Sequence, residues 1–290
     1  MKAVAMLLFL ALLALVANAG SAAALTCSSS YSNLNFGVVD LTTGGAYPTS
    51  ATNSVSCTGT ANQVVYVCGG AGVAGPYAMG ALQFALFQDS AGTAPWSGNG
   101  STTIGSNGTA TLNQTIYGRL ASGQQQMPPG SYQTGGAAIA LSSYGLTPAC
   151  GTGMTSQVPA QLSYPATCRV TAQDMTFTPN GLLTTATDAS STISATCSYT
   201  SPYDVLLDGG QSVATDPTQR KLSFAGYEMT YGLYQDAART LPWGNIIGSN
   251  AVAGSGTGQT QTLRVYGRIP KQSTPPPGTY QDIIIVTISY

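Results

Sequence analysis

The chain has no histidine and very little charge: 9 Lys or Arg and 10 Asp or Glu among 290 residues, or 7%. Soluble domains usually run near about 25%. Without imidazole there is no histidine general base, no Ser-His-Asp triad and no histidine metal ligand. Glutamate occurs once, at Glu228. A glycosidase needs two facing carboxylates, and from Leu25 to Cys150 the only ones are Asp40 and Asp89. The expectation is therefore a non-enzyme without metal or cofactor. A net charge of −1 with no basic run argues against binding nucleic acid through its phosphates. The chain is not greasy either, since its hydrophobic fraction is 43% and the remainder is rich in Gly, Ser, Thr, Asn and Gln. Disorder pairs low hydrophobicity with high net charge, and neither holds here.

Long apolar runs are also missing, apart from Met6 to Val16. That run follows Lys2 and precedes small-residue sites at Ala17-Asn18-Ala19 and Ala22-Ala23-Ala24, the pattern of a secretory signal peptide. It is too short to span a bilayer. Residues 1–24 are therefore read as a leader, cleaved after Ala19 or Ala24, and direct membrane insertion of the mature chain is not expected. Export places Cys27, Cys57, Cys68, Cys150, Cys168 and Cys197 in an oxidising compartment, where an even number of cysteines reads as disulfides.

The sequence repeats itself at an offset of about 140 to 149 positions. Phe87-Gln88-Asp89 matches Tyr234-Gln235-Asp236, Pro95-Trp96 matches Pro242-Trp243, and Ile116-Tyr117-Gly118-Arg119 matches Val265-Tyr266-Gly267-Arg268. Pro128-Pro129-Gly130-Ser131-Tyr132-Gln133 matches Pro276-Pro277-Gly278-Thr279-Tyr280-Gln281. So long a period means tandem domains rather than a solenoid. The expected division is an N-terminal domain over 25–163 and a C-terminal domain over 164–290. Cys27 and Cys57 correspond to Cys168 and Cys197, which suggests those two pairs and leaves Cys68 with Cys150.

Each copy holds short runs rich in β-branched and aromatic residues, punctuated by Gly, Pro, Asn and Asp. Examples are Ser191 to Tyr199, Tyr227 to Tyr234 and Thr262 to Ile269. The fold class read from this is all-β, as two tandem immunoglobulin-like β-sandwiches.

The series Tyr-Gln-Asp, Pro-Trp-Gly, Val-Tyr-Gly-Arg and Pro-Pro-Gly-Thr-Tyr, followed by an apolar terminal strand, resembles the spore coat protein U domain family. Residues 231–290 carry the full pattern and residues 82–132 a worn copy. Proteins of this family are similar to subunits of archaic (Csu-type) chaperone–usher pili, and two such domains in one chain resemble a tip adhesin. The resemblance implies an N-terminal receptor domain and a C-terminal pilin domain whose sandwich lacks its last strand. It implies as partners a periplasmic chaperone, an outer-membrane usher and an adjacent pilin that donates the missing strand by β-augmentation. It also implies export through the periplasm to a pilus tip, with roles in surface attachment and biofilm formation.

Both ends of the chain agree with this expectation. Asp282 to Tyr290 is strand-forming, with Ile284, Val286, Ile288 and Tyr290 on one face at period two, and nothing follows to cover its edge. This edge is the expected seat of a donated strand or a chaperone. At most seven residues precede Cys27 after cleavage, and they have little apolar content, so the chain is expected to accept a strand but not to donate one. In the first copy the matching segment, Ala137 to Ser142, is degraded, and Thr155 to Ser163 is expected to complete that sandwich in cis.

Charge is divided unevenly. From Leu25 to Cys150 there are only Asp40, Asp89 and Arg119, against fifteen charged residues from Ala166 to Tyr290. Asp89 and Arg119 recur as Asp236 and Arg268, and Trp96 as Trp243, so these read as fold elements, with Asp89 and Arg119 candidates for one ion pair. Where the second copy has a polar loop, the first has Val73, Pro76, Tyr77 and Met79; Met127 stands near the position of Thr274 and Pro275, in a loop where Lys271 has no charged counterpart, and Tyr47 and Pro48 fall in another turn of the first copy. Loop apolarity of this kind can mark a contact surface, and these seven residues are the candidates for adhesion to a hydrophobic surface or a receptor. Two other readings stand beside it. One is a lectin using Gln124, Gln125, Gln126, Asn99, Asn107 and Asn113. The other is a coat or matrix protein outside any pilus.

Overall fold

The computed structural model describes residues 23–69, 75–135, 139–178 and 181–290. The proposed leader, but for its last two residues, and Val73 lie outside the described residues. Secondary structure among the described residues is β-strand apart from one 3₁₀ turn at Leu41–Thr43.

In the first repeat the strands are β1 (Thr26–Tyr31), β2 (Leu34–Val38), β3 (Pro48–Thr58), β4 (Val64–Gly69), β5 (Tyr77–Met79), β6 (Leu82–Phe87), β7 (Gly100–Thr103), β8 (Thr109–Leu120), β9 (Gly130–Gln133), β10 (Ile139–Gly145), β11 (Thr152–Ser156) and β12 (Ala160–Tyr164). The second repeat contributes β13 (Cys168–Ala172), β14 (Thr187–Cys197), β15 (Pro202–Leu207), β16 (Arg220–Phe224), β17 (Tyr227–Tyr234), β18 (Val252–Ser255), β19 (Thr260–Ile269) and β20 (Val286–Ser289).

The sheet order is repeated as faithfully as the sequence motifs. A five-stranded sheet runs β1-β3-β8-β6-β5 in the first repeat and β13-β14-β19-β17-β16 in the second. Facing strands correspond too: β7-β4-β10 is matched by β18-β15-β20, with β11 added to the edge of β10. One sheet has no counterpart among the described residues, the three-stranded β2-β12-β9. By internal contacts the chain separates into two compact units. One comprises 46–121, 133–161 and the residues up to 36; the other comprises 37–45, 122–132 and 162–290.

Alternation explains the strands. In β12, Ala160, Leu162 and Tyr164 are buried while Gln161 and Ser163 face out, the period-two pattern of a half-buried strand. The Tyr-Gly-Arg motif has a packing reason. A Cβ at Gly267 would run into Met175 and Phe177, and one at Gly118 would press on Leu34, so glycine lets the preceding strand segment lie close across β19 and β8. Trp243 is buried with its indole N–H donating to the carbonyl of Val205 at 2.9 Å, and Trp96 is buried in the equivalent place.

Disulfides join Cys27 to Cys57, Cys68 to Cys150 and Cys168 to Cys197. The first and third each tie a first strand to its sheet neighbour at a directly opposed position. The segment expected to complete the first sandwich is split in two. Its beginning lies in β11, which pairs with β10, and its end lies in β12, between β2 and β9.

Candidate functional site

The two repeats differ most where β12 lies. In the first repeat Leu34 and Phe36 on β2, Met79 on β5 and Leu82 on β6 are buried, and above them β12 and its approach bury Val158, Ala160, Leu162 and Tyr164. The backbone of this strand is held on both sides. Leu34 N–H donates to Pro159 O at 2.8 Å and Val39 N–H to Ser163 O at 2.9 Å, so it runs parallel to β2; on the other side Thr134 N–H donates to Ala160 O at 2.9 Å.

In the second repeat the matching positions are Met175, Phe177, Leu222 and Met229. All four are only half-buried, although they pack against the core. They line a cleft of about 920 Å³. One wall is Asp174 to Thr178 and the other is Thr274 to Ile283. A smaller space of about 200 Å³ reaches core residues Ile193, Leu207, Leu233 and Val265.

Aromatic edge contacts repeat beneath it. Phe36 meets Phe84 at 6.1 Å, and Phe177 meets Tyr231 at 6.2 Å. The second wall is shaped locally: the Tyr280 hydroxyl donates to Pro276 O at 2.8 Å, as Tyr132 does to Pro128, and Gln281 exchanges backbone hydrogen bonds with Ser223.

The terminal segment alternates along this wall. Ile284, Val286 and Ile288 are half-buried against the core, whereas Ile283 and Ile285 are 65% and 62% exposed. Tyr290 departs from the expectation. Regular pairing with β15 ends at Ser289, so its side chain passes beyond the strand and is 60% exposed. Pairing with β15 also leaves β20 at the edge of its three-stranded sheet.

Polar groups at the cleft follow from one buried cation. The Arg220 guanidinium is fully buried and donates to the carbonyls of Asp208, Pro217, Leu207 and Trp243 at 2.8 to 3.1 Å. Burial pushes its pKa down, opposed by Tyr231 and the nearby carboxylates. The Tyr231 hydroxyl donates to Asp282 Oδ2 at 2.7 Å; burial, then the hydrogen bond to Asp282, raises its pKa. Asp282 Oδ1 accepts from the N–H groups of Gln211 and Ile283, both at 2.8 Å.

The adhesion candidates fare unevenly. Register places Tyr47, Leu120, Phe84 and Tyr77 in a row across one end of the five-stranded sheet. Pro48 starts β3 beside them, and the segment carrying Met127 follows β8 there. Pro48 and Pro76 are exposed, while Tyr47, Tyr77 and Met127 are half-buried. Met79 is corrected. It is fully buried opposite Leu82, so it supports the loop from below and offers no contact.

Register also explains part of the charge shortage. Tyr77 faces Phe84 as Arg220 faces Tyr231, so the tyrosine, 5.7 Å from Phe84 between ring centres, stands where the second repeat buries its arginine. Pro48 likewise opposes Arg119 where Asp188 opposes Arg268.

Asp89 and Arg119 do not form the expected ion pair. Both brace one turn: Asp89 accepts from the N–H groups of Thr93 and Ala94, which lowers its pKa, and Arg119 donates to the carbonyls of Ser90 and Ala91. In the second repeat Arg268 pairs instead with Asp188, at 2.7 and 2.9 Å. Asp40 caps the 3₁₀ turn through Thr42. The amides proposed for sugar binding are partly occupied, with Asn99 accepting from Gly69 N–H and Asn107 from Thr109 N–H.

A family model described as Spore Coat Protein U domain matches residues 13–134 and 154–287. Over 80 residues the sequence is 34% identical to Protein U of Myxococcus xanthus, an overlap of 27% of this chain and 44% of that protein; the match thus spans under half the length of that relative. Among solved structures the fold is similar to the CsuC–CsuE chaperone–tip adhesion subunit pre-assembly complex from archaic chaperone-usher Csu pili of Acinetobacter baumannii. The TM-score is 0.52 at 16% identity, covering 91% of this chain and 100% of that one. The CupB6 tip adhesin of Pseudomonas aeruginosa gives a TM-score of 0.37 at 14% identity, covering 92% and 94%.

Proposed function

Because this chain belongs to the Spore Coat Protein U domain family, we propose that it is the tip adhesin of a chaperone–usher pilus, with residues 25–163 as the attachment domain and 164–290 as a strand-accepting pilin domain. The observation that carries this reading is the contrast between the repeats. Leu34, Phe36, Met79 and Leu82 are buried beneath β12, while Met175, Phe177, Leu222 and Met229 stand half-open around the cleft. An exported protein with an open apolar cleft beside an unpaired strand edge is an aggregation hazard. A donated strand removes both liabilities at once. A periplasmic chaperone supplies it first, and the next pilin supplies it in the fibre after passage through the usher. The likeness of the fold to a chaperone-bound tip subunit supports the same role.

Attachment is assigned to apolar side chains of the first repeat. The row through Tyr47 and Tyr77 lies at the end where β8 finishes, and β12 finishes there too before the chain continues to Cys168. At the opposite end are the Thr58–Gln63 and Ile104–Thr109 turns, where Val64 is 43% exposed and Leu146, just past β10, is 49% exposed. We place the principal contact there. Pro48, Pro76 and Tyr77 form the competing surface, and Met127 is a separate candidate.

The test compares cells lacking the gene and complemented with wild type, with Val64→Ser/Leu146→Ser or with Pro76→Ser/Tyr77→Ser. Immunogold at fibre ends establishes piliation, and retention on polystyrene reads attachment. The expected result is gold at fibre tips in all three strains and loss of retention with the Val64/Leu146 pair alone. Gold along the cell wall without fibres would instead favour a coat protein.

A further inference from the structure

The first repeat contains, in cis, a filled version of the cleft that is open in the second, and it therefore specifies how an incoming strand is held. Thr134 is the position equivalent to Asp282, by the match of Tyr132-Gln133 to Tyr280-Gln281. Leu34 is equivalent to Met175, by the match of Leu34-Asn35-Phe36 to Met175-Thr176-Phe177 and the shared register of the disulfides behind them. In the first repeat these two residues clasp consecutive positions of the inserted strand. Leu34 N–H donates to Pro159 O, and Thr134 N–H donates to Ala160 O. The Thr134 side chain then completes a ring, its Oγ1 accepting from Ala160 N–H at 3.1 Å. In the second repeat, the N–H groups of Met175 and Asp282 have no partner among the described residues. Two unpaired N–H groups, one on each wall of an apolar cleft, call for carbonyls between them.

We propose that Asp282 is the residue that fixes the register of the strand entering this cleft. The donor runs parallel to Asp174–Thr178. Its carbonyls at two consecutive positions accept the Met175 and Asp282 N–H groups, and its N–H at the second of these donates to the Asp282 carboxylate. Donor residues equivalent to Val158, Ala160, Leu162 and Tyr164 then point into the core. Asp282 suits this role because its carboxylate already borders the cleft, held by the Tyr231 hydroxyl and two backbone N–H groups. A carboxylate also adds what threonine does not. It is a charge-assisted acceptor, and it disfavours donors that place an acidic side chain beside it. Asp174 and Asp282 are the charged residues lining the cleft, and both are acidic, so the preferred donor is an apolar strand whose flanking charges are basic. The proposal rests on reading the second repeat as a strand acceptor, and its test separates the two.

The probe is a synthetic peptide with the sequence of residues 156–166 of this chain, binding to the mature full-length protein and followed by fluorescence anisotropy. It is compared with the same peptide N-methylated at the position of Ala160, which removes the critical N–H, and with one N-methylated at the position of Ser163. The proteins are wild type, Asp282→Ala and Asp282→Thr, each checked for native circular dichroism. Methylation at the Ala160 position is expected to weaken binding about tenfold to wild type and to Asp282→Thr, and less than twofold to Asp282→Ala. Methylation at Ser163 should weaken all three proteins alike. An equal penalty for the Ala160 methyl in all three proteins overturns the register while leaving the acceptor reading standing. Failure of the unmethylated peptide to bind wild type overturns both.

Discussion

At the residue scale, equivalent positions in the two repeats solve the same problem with different chemistry. Arg220 ties four carbonyls together from within the core, an arrangement in which a planar fork of donors is hard to replace. Tyr77 holds the same register position by packing on Phe84. Loss of charge from the first repeat is thus partly a matter of internal packing, which a list of residue types does not reveal. The repeated Asp89 and Asp236 were legible as fold elements because they recur; their partners were not, since backbone N–H groups leave no mark in sequence. Acid sensitivity follows from these carboxylates. Asp89, Asp216 and Asp236 are held below the usual range mainly by backbone N–H donors, and Asp188 mainly by its hydrogen bond to Arg268. A carboxylate with a depressed folded-state pKa contributes stability above its unfolded value of about 3.9 and loses it as pH falls through the folded value. With no histidine in the chain, nothing titrates strongly near pH 6.5. Urea midpoints should therefore be level from about pH 5 to 8 and fall below about pH 4. A transition centred between pH 6 and 7 would contradict this.

At the element scale, β12 decides how far each repeat is finished. The need for a completing strand in the first repeat was readable, because the chain continues past a degraded copy of the terminal strand. Its placement was readable only in part. The expected segment begins at Thr155, inside β11, and β11, which follows Cys150 bonded to Cys68, pairs with the edge of β10 instead. Alternation begins in earnest at Val158, and that signal marks the inserted strand. Leu162→Ala should cost about 2–5 kcal/mol, the range for a buried leucine whose cavity cannot collapse. Ile288→Ala should cost distinctly less, because its side chain is only half-buried. Chemical denaturation of the full chain measures both. Equal losses would mean that the terminal strand is already as well packed as β12. The exposed Tyr290 marks where the sequence pattern outran the pairing: period-two alternation extends to the last residue, whereas the pairing with β15 ends at Asp204 opposite Ser289.

At the scale of the whole molecule, β12 lies between β2 and β9 in the first repeat, and the proposed reading is that the corresponding place in the second, the cleft beside Met175 and Phe177, receives a strand from outside. The five-stranded sheets correspond strand for strand, so beyond the uneven charge and the added β11 the repeats differ chiefly at one groove, covered by β12 in the first and lined by half-buried side chains in the second. The sequence motifs carried the repeat and the family; the cleft itself became visible only when half-exposed Met175 and Phe177 were set beside their buried counterparts Leu34 and Phe36. The central claim is that this groove awaits a strand. Its most direct test is calorimetry of the mature chain with and without a second copy of residues 157–165 fused behind Tyr290 through a flexible linker. Filling the groove should raise the transition of the second repeat by well over 10 °C, since several apolar side chains at about 1.5–3 kcal/mol each become buried, and should leave the first repeat unchanged. An identical melting profile with and without the fused strand would contradict the account.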